Sequence, residues 1–117
     1  MTAGFTKLER RWEEERVARA ERSAGLRARL IEQGLPVLRA HGVRQVWLFG
    51  SVATGTAESA SDIDLLVTPV SAADYWALRR ELEAALGNPV DLYTQDDDAG
   101  LVRKIIERGE RLYEVQP

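Results

Sequence analysis

The spacing of apolar residues changes period several times along the chain. From residue 5 to residue 33 there is no proline, and Phe5, Leu8 and Trp12 fall at helical spacing, as Ala24, Ala28 and Ile31 do later. The stretch is rich in Glu, Arg, Ala and Leu, and opposite charges recur four residues apart, as in Arg11–Glu15 and Glu15–Arg19. This predicts one long helix, or two with a break near Gly25. Between Glu13 and Ser23 only Val17, Ala18 and Ala20 are apolar. The first half therefore has little to bury, and is expected to project from the core or pack on another chain. Gly34 and Pro36 break or kink the helix, and a short helix ending at His41-Gly42 follows.

The pattern then turns to strands. Val43 to Phe49 ends in Val46-Trp47-Leu48-Phe49, apolar on both faces, as a central strand requires. Gly50-Ser51 closes it, and Ala53 to Ala60 reads as a loop or short helix. Asp62 to Val67 is a second strand. Ser71, with Asp74 three residues on, opens a helix that Gly87 stops. Asn88-Pro89 is a turn, Val90 to Tyr93 a third strand, and Asp96 to Asp98 lead into a final helix ending at Arg108-Gly109. Leu112 to Val115 is a last short strand or a docked tail. Helices alternating with a few short strands predict an α/β (α+β) fold around a small sheet. The expected organisation is a charged helical extension over residues 1–35 and a globular domain over residues 36–117.

Composition narrows the chemistry. The 117 residues include no Cys and one His, which excludes disulfides, thiolate metal sites, a cysteine nucleophile and His-rich metal clusters. Apolar runs stop at four or five residues, too short for a membrane span, and no apolar leader is visible, so a cytoplasmic protein is expected. Charge is uneven. Residues 1–40 carry nine Lys/Arg against six Glu, whereas residues 41–117 carry seven against thirteen Asp/Glu. An acidic body argues against nucleic-acid binding but suits carboxylates gathered around metal ions.

Three features converge on such a site. Gly50-Ser51 follows a buried strand, where a glycine lets the backbone approach a ligand and exposed N–H groups can hold phosphate oxygens. Asp62 and Asp64 are two residues apart on a strand, so their carboxylates share a face. Asp91 sits on the next strand and can join them if the strands are neighbours. Three hard carboxylates suffice for two Mg²⁺ ions ~3.5–4 Å apart, the arrangement for in-line phosphoryl or nucleotidyl transfer. Asp-x-Asp alone is weak, being far more often the solvated face of an antiparallel edge strand. Gly-Ser, ten residues, then Asp-x-Asp, with an apolar strand on each side, is far more specific. Ser61 is a candidate donor to a phosphate or carboxylate. Asp96, Asp97 and Asp98 are read as helix caps, His41 as a cap of the preceding helix, Trp47 and Trp76 as core.

Gly50-Ser51, the spacer and Asp62-Ile63-Asp64-Leu65-Leu66-Val67 resemble the signature of the DNA polymerase β-like nucleotidyltransferase superfamily. The short length is most similar to its minimal nucleotidyltransferases, and the likeness covers roughly residues 36–115. The resemblance implies that Asp62, Asp64 and Asp91 bind two Mg²⁺ ions and that Gly50 and Ser51 bind the triphosphate of ATP; Ser61, just before the acid pair, is the further candidate for nucleotide binding. It implies transfer of AMP from ATP to an acceptor hydroxyl. It further implies a HEPN-like toxin as partner, AMPylated on a tyrosine, with this chain as the antitoxin; the under-buried N-terminal helix is the candidate surface for the partner or for a second copy. One departure stands out: many such sequences carry Arg where this chain has Thr54, and Arg44, Arg103 and Lys104 are the candidate replacements. Two other readings stay open: a binding module that neutralises its partner by contact, and an enzyme acting on a small molecule or RNA.

Overall fold

The long N-terminal pattern folds as one uninterrupted helix. In a computed structural model that describes residues 6–115, α1 spans Lys7–Arg29. Thr6 caps it, its hydroxyl accepting from the Glu9 N–H at 3.1 Å. Phe5 lies outside the described residues. Gly25 causes no break: it is exposed, and the residues on either side of it, Ser23 and Leu26, are buried and hold the helix down. The anchoring stripe is Ser23, Leu26 and Leu30; the expected Ala24, Ala28 and Ile31 face outward. Upstream of that anchor the helix overhangs, leaving Leu8 52% and Trp12 59% exposed.

The break comes at Leu30–Gly34, a π-helical turn in which the Leu35 N–H reaches the Leu30 carbonyl. Pro36, just inside α2 (Leu35–Ala40), has no N–H to continue the regular ladder, and the wider turn absorbs the missing bond. Four strands follow: β1 (Gln45–Phe49), β2 (Ile63–Thr68), β3 (Val90–Tyr93) and β4 (Glu110–Glu114), the last settling the ambiguous tail as a strand. Between them lie α3 (Gly50–Thr54), α4 (Tyr75–Leu86) and α5 (Ala99–Arg108). α4 begins later than Ser71 suggested. Ser71 instead accepts from the Asp74 N–H in a turn ahead of the helix, and Asp74 occupies the cap position with its carboxylate engaged elsewhere.

The sheet order is β3-β2-β1-β4, with β1 antiparallel to β2 and β4, and β2 parallel to β3 across the α4 crossover. Its two faces are unequal. Val46, Leu48, Ile63, Leu65, Val67, Val90 and Leu92 point into the main core with residues of α1, α2 and α4. The opposite face carries a smaller cluster, Trp47, Leu66 and Ile105, with Phe49, Tyr93 and Val102 packed against it. α5 alone among the helices contributes to that cluster, so one end of this face stays open. Trp47 is core as expected; Trp76 is not, being 59% exposed on α4 with the Arg79 guanidinium over its ring. Among the described residues no helix is long and apolar enough to cross a membrane.

Candidate active site

The open end of the thinner face is where the acids meet. Asp64 alternates with the core-facing Ile63 and Leu65, and so points to the α5 side. Asp91 alternates with Val90 and Leu92 in the same sense. The parallel pairing sets Asp64 directly opposite Asp91, and strand neighbours in register lie about 5 Å apart with side chains on one face. Asp62 stands one residue before β2, exposed at its mouth, where the Ile63 N–H bonds the Pro89 carbonyl and ties this edge to β3. The condition placed on Asp91, that its strand neighbour the acid pair, is thus met.

Charge confirms the convergence. The Asp64 carboxyl is pushed up to about 6, first by burial, then by the charge of Asp91, then by that of Asp62. Tyr93 donates its hydroxyl to Asp91 Oδ2 at 3.1 Å, and its own ionisation is raised chiefly by that bond. The Phe49 and Tyr93 rings meet edge to face, 5.3 Å apart, and fix the tyrosine. Tyr93 was not singled out in the sequence; its signal was its place two residues after Asp91 on a strand.

The Gly-Ser segment is a short helix rather than a bare turn. Gly50 opens α3 at φ +73°, a conformation that favours glycine, and it sits beneath Asp64. Gly55 closes α3 in the left-handed region, its N–H bonding the Ser51 carbonyl. Thr54 turns its hydroxyl to the Gly50 and Ser51 carbonyls at 3.2 and 3.3 Å, and presents no charge. Ser61 faces its own loop: its Oγ accepts from the Glu58 N–H at 2.8 Å while its carbonyl accepts from Asn88. That loop is pinned from α1. The Ala57 N–H, wholly buried, donates to Ser23 Oγ at 3.0 Å, and Arg22 donates to the Ala57 carbonyl at 2.7 Å.

Other candidates fall outside this site. Asp98 caps α5 through the Leu101 N–H, and Asp97 accepts from the Thr94 N–H, so these acids are structural. His41 closes α2 as expected, but its ring does not serve helix carbonyls: it pairs with Asp74 and Glu81 of the α4 region. Arg44 lies before β1, at the end of that strand remote from Gly50.

Among the described residues no group of three or more His, Asp or Glu side chains is placed to hold a metal ion as it stands. In chemical type, carboxylate oxygens are the donors a hard divalent cation takes. Three carboxylates lie near one another, and the Asp64 carboxyl is raised above its usual range first by burial and then by the charges of Asp91 and Asp62. The chemistry available to such a cluster is metal-assisted transfer at phosphorus.

The model of a family described as "Polymerase beta, Nucleotidyltransferase" matches residues 32–117. A Methanocaldococcus jannaschii protein named "Putative protein adenylyltransferase" is 41% identical over 63 residues, covering 51% of this chain and 68% of that one. Among solved structures, a "putative minimal nucleotidyltransferase" superposes with a TM-score of 0.62 at 35% identity, over 74% of this chain and 92% of its own. A toxin–antitoxin complex with AMP-PNP contains a chain that superposes with a TM-score of 0.63 at 26% identity, over 74% of both.

Proposed function

The chain belongs to the polymerase beta nucleotidyltransferase family, and from that premise we propose that it is a Mg²⁺-dependent adenylyltransferase that modifies a partner protein. The observation that carries the reading is the register of Asp64 with Asp91, beside Asp62 and above Gly50. In this reading Asp62, Asp64 and Asp91 hold two Mg²⁺ ions, and Gly50 and Ser51 receive the phosphates of ATP through backbone N–H groups, with Ser61 at the edge. Bound Mg²⁺ would neutralise the phosphates and activate the acceptor hydroxyl. Tyr93 fixes the Asp91 carboxylate by donating to one oxygen and leaving the other free.

The acceptor is proposed to be a tyrosine of a HEPN-like toxin, with this chain acting as the antitoxin in the cytoplasm, where ATP is available. Support comes from the naming of one relative as a protein adenylyltransferase and from a toxin–antitoxin complex among the similar structures. The overhanging face of α1, with Leu8 and Trp12 exposed, is the proposed surface for that partner.

A second reading has one observation in its favour. Thr54 offers a self-bonded hydroxyl where a phosphate-facing cation would help departure of the leaving group. The chain would then neutralise its partner by contact, with a weak site. Incubating the protein with Mg²⁺, labelled ATP and the co-purifying partner separates the two. Label on the partner that disappears with Asp64→Asn supports the enzyme. Full neutralisation without label, unchanged by Asp64→Asn, supports the binding module.

A further inference from the structure

A cavity of about 280 Å³ lies between α3 and α5, with Gly50 and Thr54 on one side, Lys104 and Arg108 on the other, and Phe49 and Ile105 in its apolar lining. Lys104 and Arg108 are four residues apart and therefore share a face of α5. Both are exposed, and among the described residues neither has a carboxylate within ion-pair distance. Most other cations of the body are elsewhere or engaged: Arg44 lines a separate cavity with Gln45 and Thr68, Arg79 lies on Trp76, and Arg111 pairs with Glu114.

The electrostatic requirement is plain. A nucleoside triphosphate is a polyanion, and it must approach a rim that already carries Asp62, Asp64 and Asp91. Thr54 contributes no charge. Two free cations on the facing wall supply it, and their stems can lie along the apolar lining while the charged ends face the groove.

We infer that Lys104 and Arg108 bind the β- and γ-phosphates of the donor nucleotide and stabilise pyrophosphate as it leaves, replacing the cation absent at Thr54. The inference rests on the nucleotidyltransferase reading. In the transfer, the acceptor oxygen bonds to the α-phosphorus and the α–β bridging P–O bond breaks with its electron pair on pyrophosphate. The acceptor proton passes to water. Charge therefore builds on the oxygens these two side chains face, where a fixed cation is most effective.

The test is calorimetric binding of Mg²⁺·AMP-PNP to the full chain and to Lys104→Gln, Arg108→Gln, the double variant, Lys104→Arg, and Arg103→Gln as a control of equal charge. Arg103, next to Lys104 in sequence, is not part of the cavity lining. Each single removal is expected to weaken binding on the order of ten-fold, and the double variant further. Lys104→Arg should restore most of the affinity, and Arg103→Gln should match the wild type. Wild-type affinity in the double variant, or equal loss in Arg103→Gln, overturns the inference, the second because net charge alone would explain the effect. If the wild-type chain binds no Mg²⁺·AMP-PNP, the nucleotidyltransferase reading itself falls and takes this inference with it.

Discussion

The Asp64 carboxylate occupies the space into which a side chain on Gly50 would grow. A Cβ built on Gly50 overlaps Asp64 Oδ2 and stands 2.9 Å from its Cγ. Phe49, the residue before this glycine, pairs with Asp64 across the antiparallel ladder, so neither partner can retreat along the sheet. The close approach ties the backbone proposed to receive phosphate to an acid proposed to hold metal.

Gly50→Ala should therefore damage the site more than the fold. The positive φ costs roughly 1–2 kcal/mol in any residue with a Cβ. The overlap must also be relieved by turning Asp64 away from Asp91. A drop in adenylyl transfer of at least 100-fold is expected, with the far-UV spectrum unchanged and only a modest loss in urea resistance. A Gly50→Ala variant with near-normal transfer would mean that Asp64 is not needed where it stands.

The acid cluster should cost stability. Asp64 is an acid whose folded value, about 6, lies above the unfolded 3.8. Between those values the folded state holds a proton that the unfolded state has released. Stability from this group therefore falls as pH rises through that window and stays lowered above it. Asp64→Asn should be more stable than wild type at pH 8 by roughly 1 kcal/mol, after discounting for partial exposure. The two should converge near pH 4, and Mg²⁺ should narrow the gap at pH 8 by stabilising wild type alone. Thermal melts at both pH values, with and without Mg²⁺, measure each of these.

Ser23 of α1 holds the loop that precedes the acid pair. Removing its hydroxyl leaves the Ala57 N–H buried without an acceptor, at a cost of about 1–3 kcal/mol. Ser23→Ala should lose that much stability in urea and speed hydrogen exchange selectively over residues 55–61. Uniform acceleration across the sheet would show instead that α1 supports the whole core and not this loop.

The readable parts of the chain were those where one local signal decides the outcome. Alternation around Asp64 and around Asp91 put each side chain on the face opposite its apolar neighbours, and that the two faces are one needed the sheet order. The length of α1 followed from its composition, but its buried stripe did not. Ala24, Ala28 and Ile31 have the right spacing, yet Ser23, Leu26 and Leu30 are the buried ones, because the face α1 turns inward is set by contacts distant in sequence, such as that of Ser23 with Ala57. Ser23 could not be recognised as buried, since its partner Ala57 is 34 residues away. Trp76 misled for the converse reason: a large ring on an amphipathic helix reads as core, whereas here Leu78, Leu82 and Leu86 fill that face and the ring lies outside under Arg79. Arg108 carries no local signal of a role, and only the fold sets it across from Thr54.

His41 should make stability depend on pH above the range in which Asp64 titrates. Its Nδ1 lies 2.7 Å from Asp74 Oδ2 and its Nε2 2.5 Å from Glu81 Oε2, joining the end of α2 to α4. Both carboxylates favour the protonated imidazole, the hydrogen bond to Glu81 first and that to Asp74 next, and raise it above its ordinary value. A base whose folded value is raised contributes fully below its unfolded value of about 6.5, and that contribution is lost as pH rises through the folded value. Wild type should therefore lose stability on going from pH 6 to pH 9, by at most about 1 kcal/mol because both carboxylates are solvated. His41→Gln can still donate one hydrogen bond but cannot titrate, so its urea midpoint should be lower than wild type at pH 6 and flat from there upward. Asp64, already ionised over most of this interval, contributes little to the slope. A wild-type midpoint as flat as that of His41→Gln would show that the ring is neutral in the folded chain and that the two short contacts are not ion pairs.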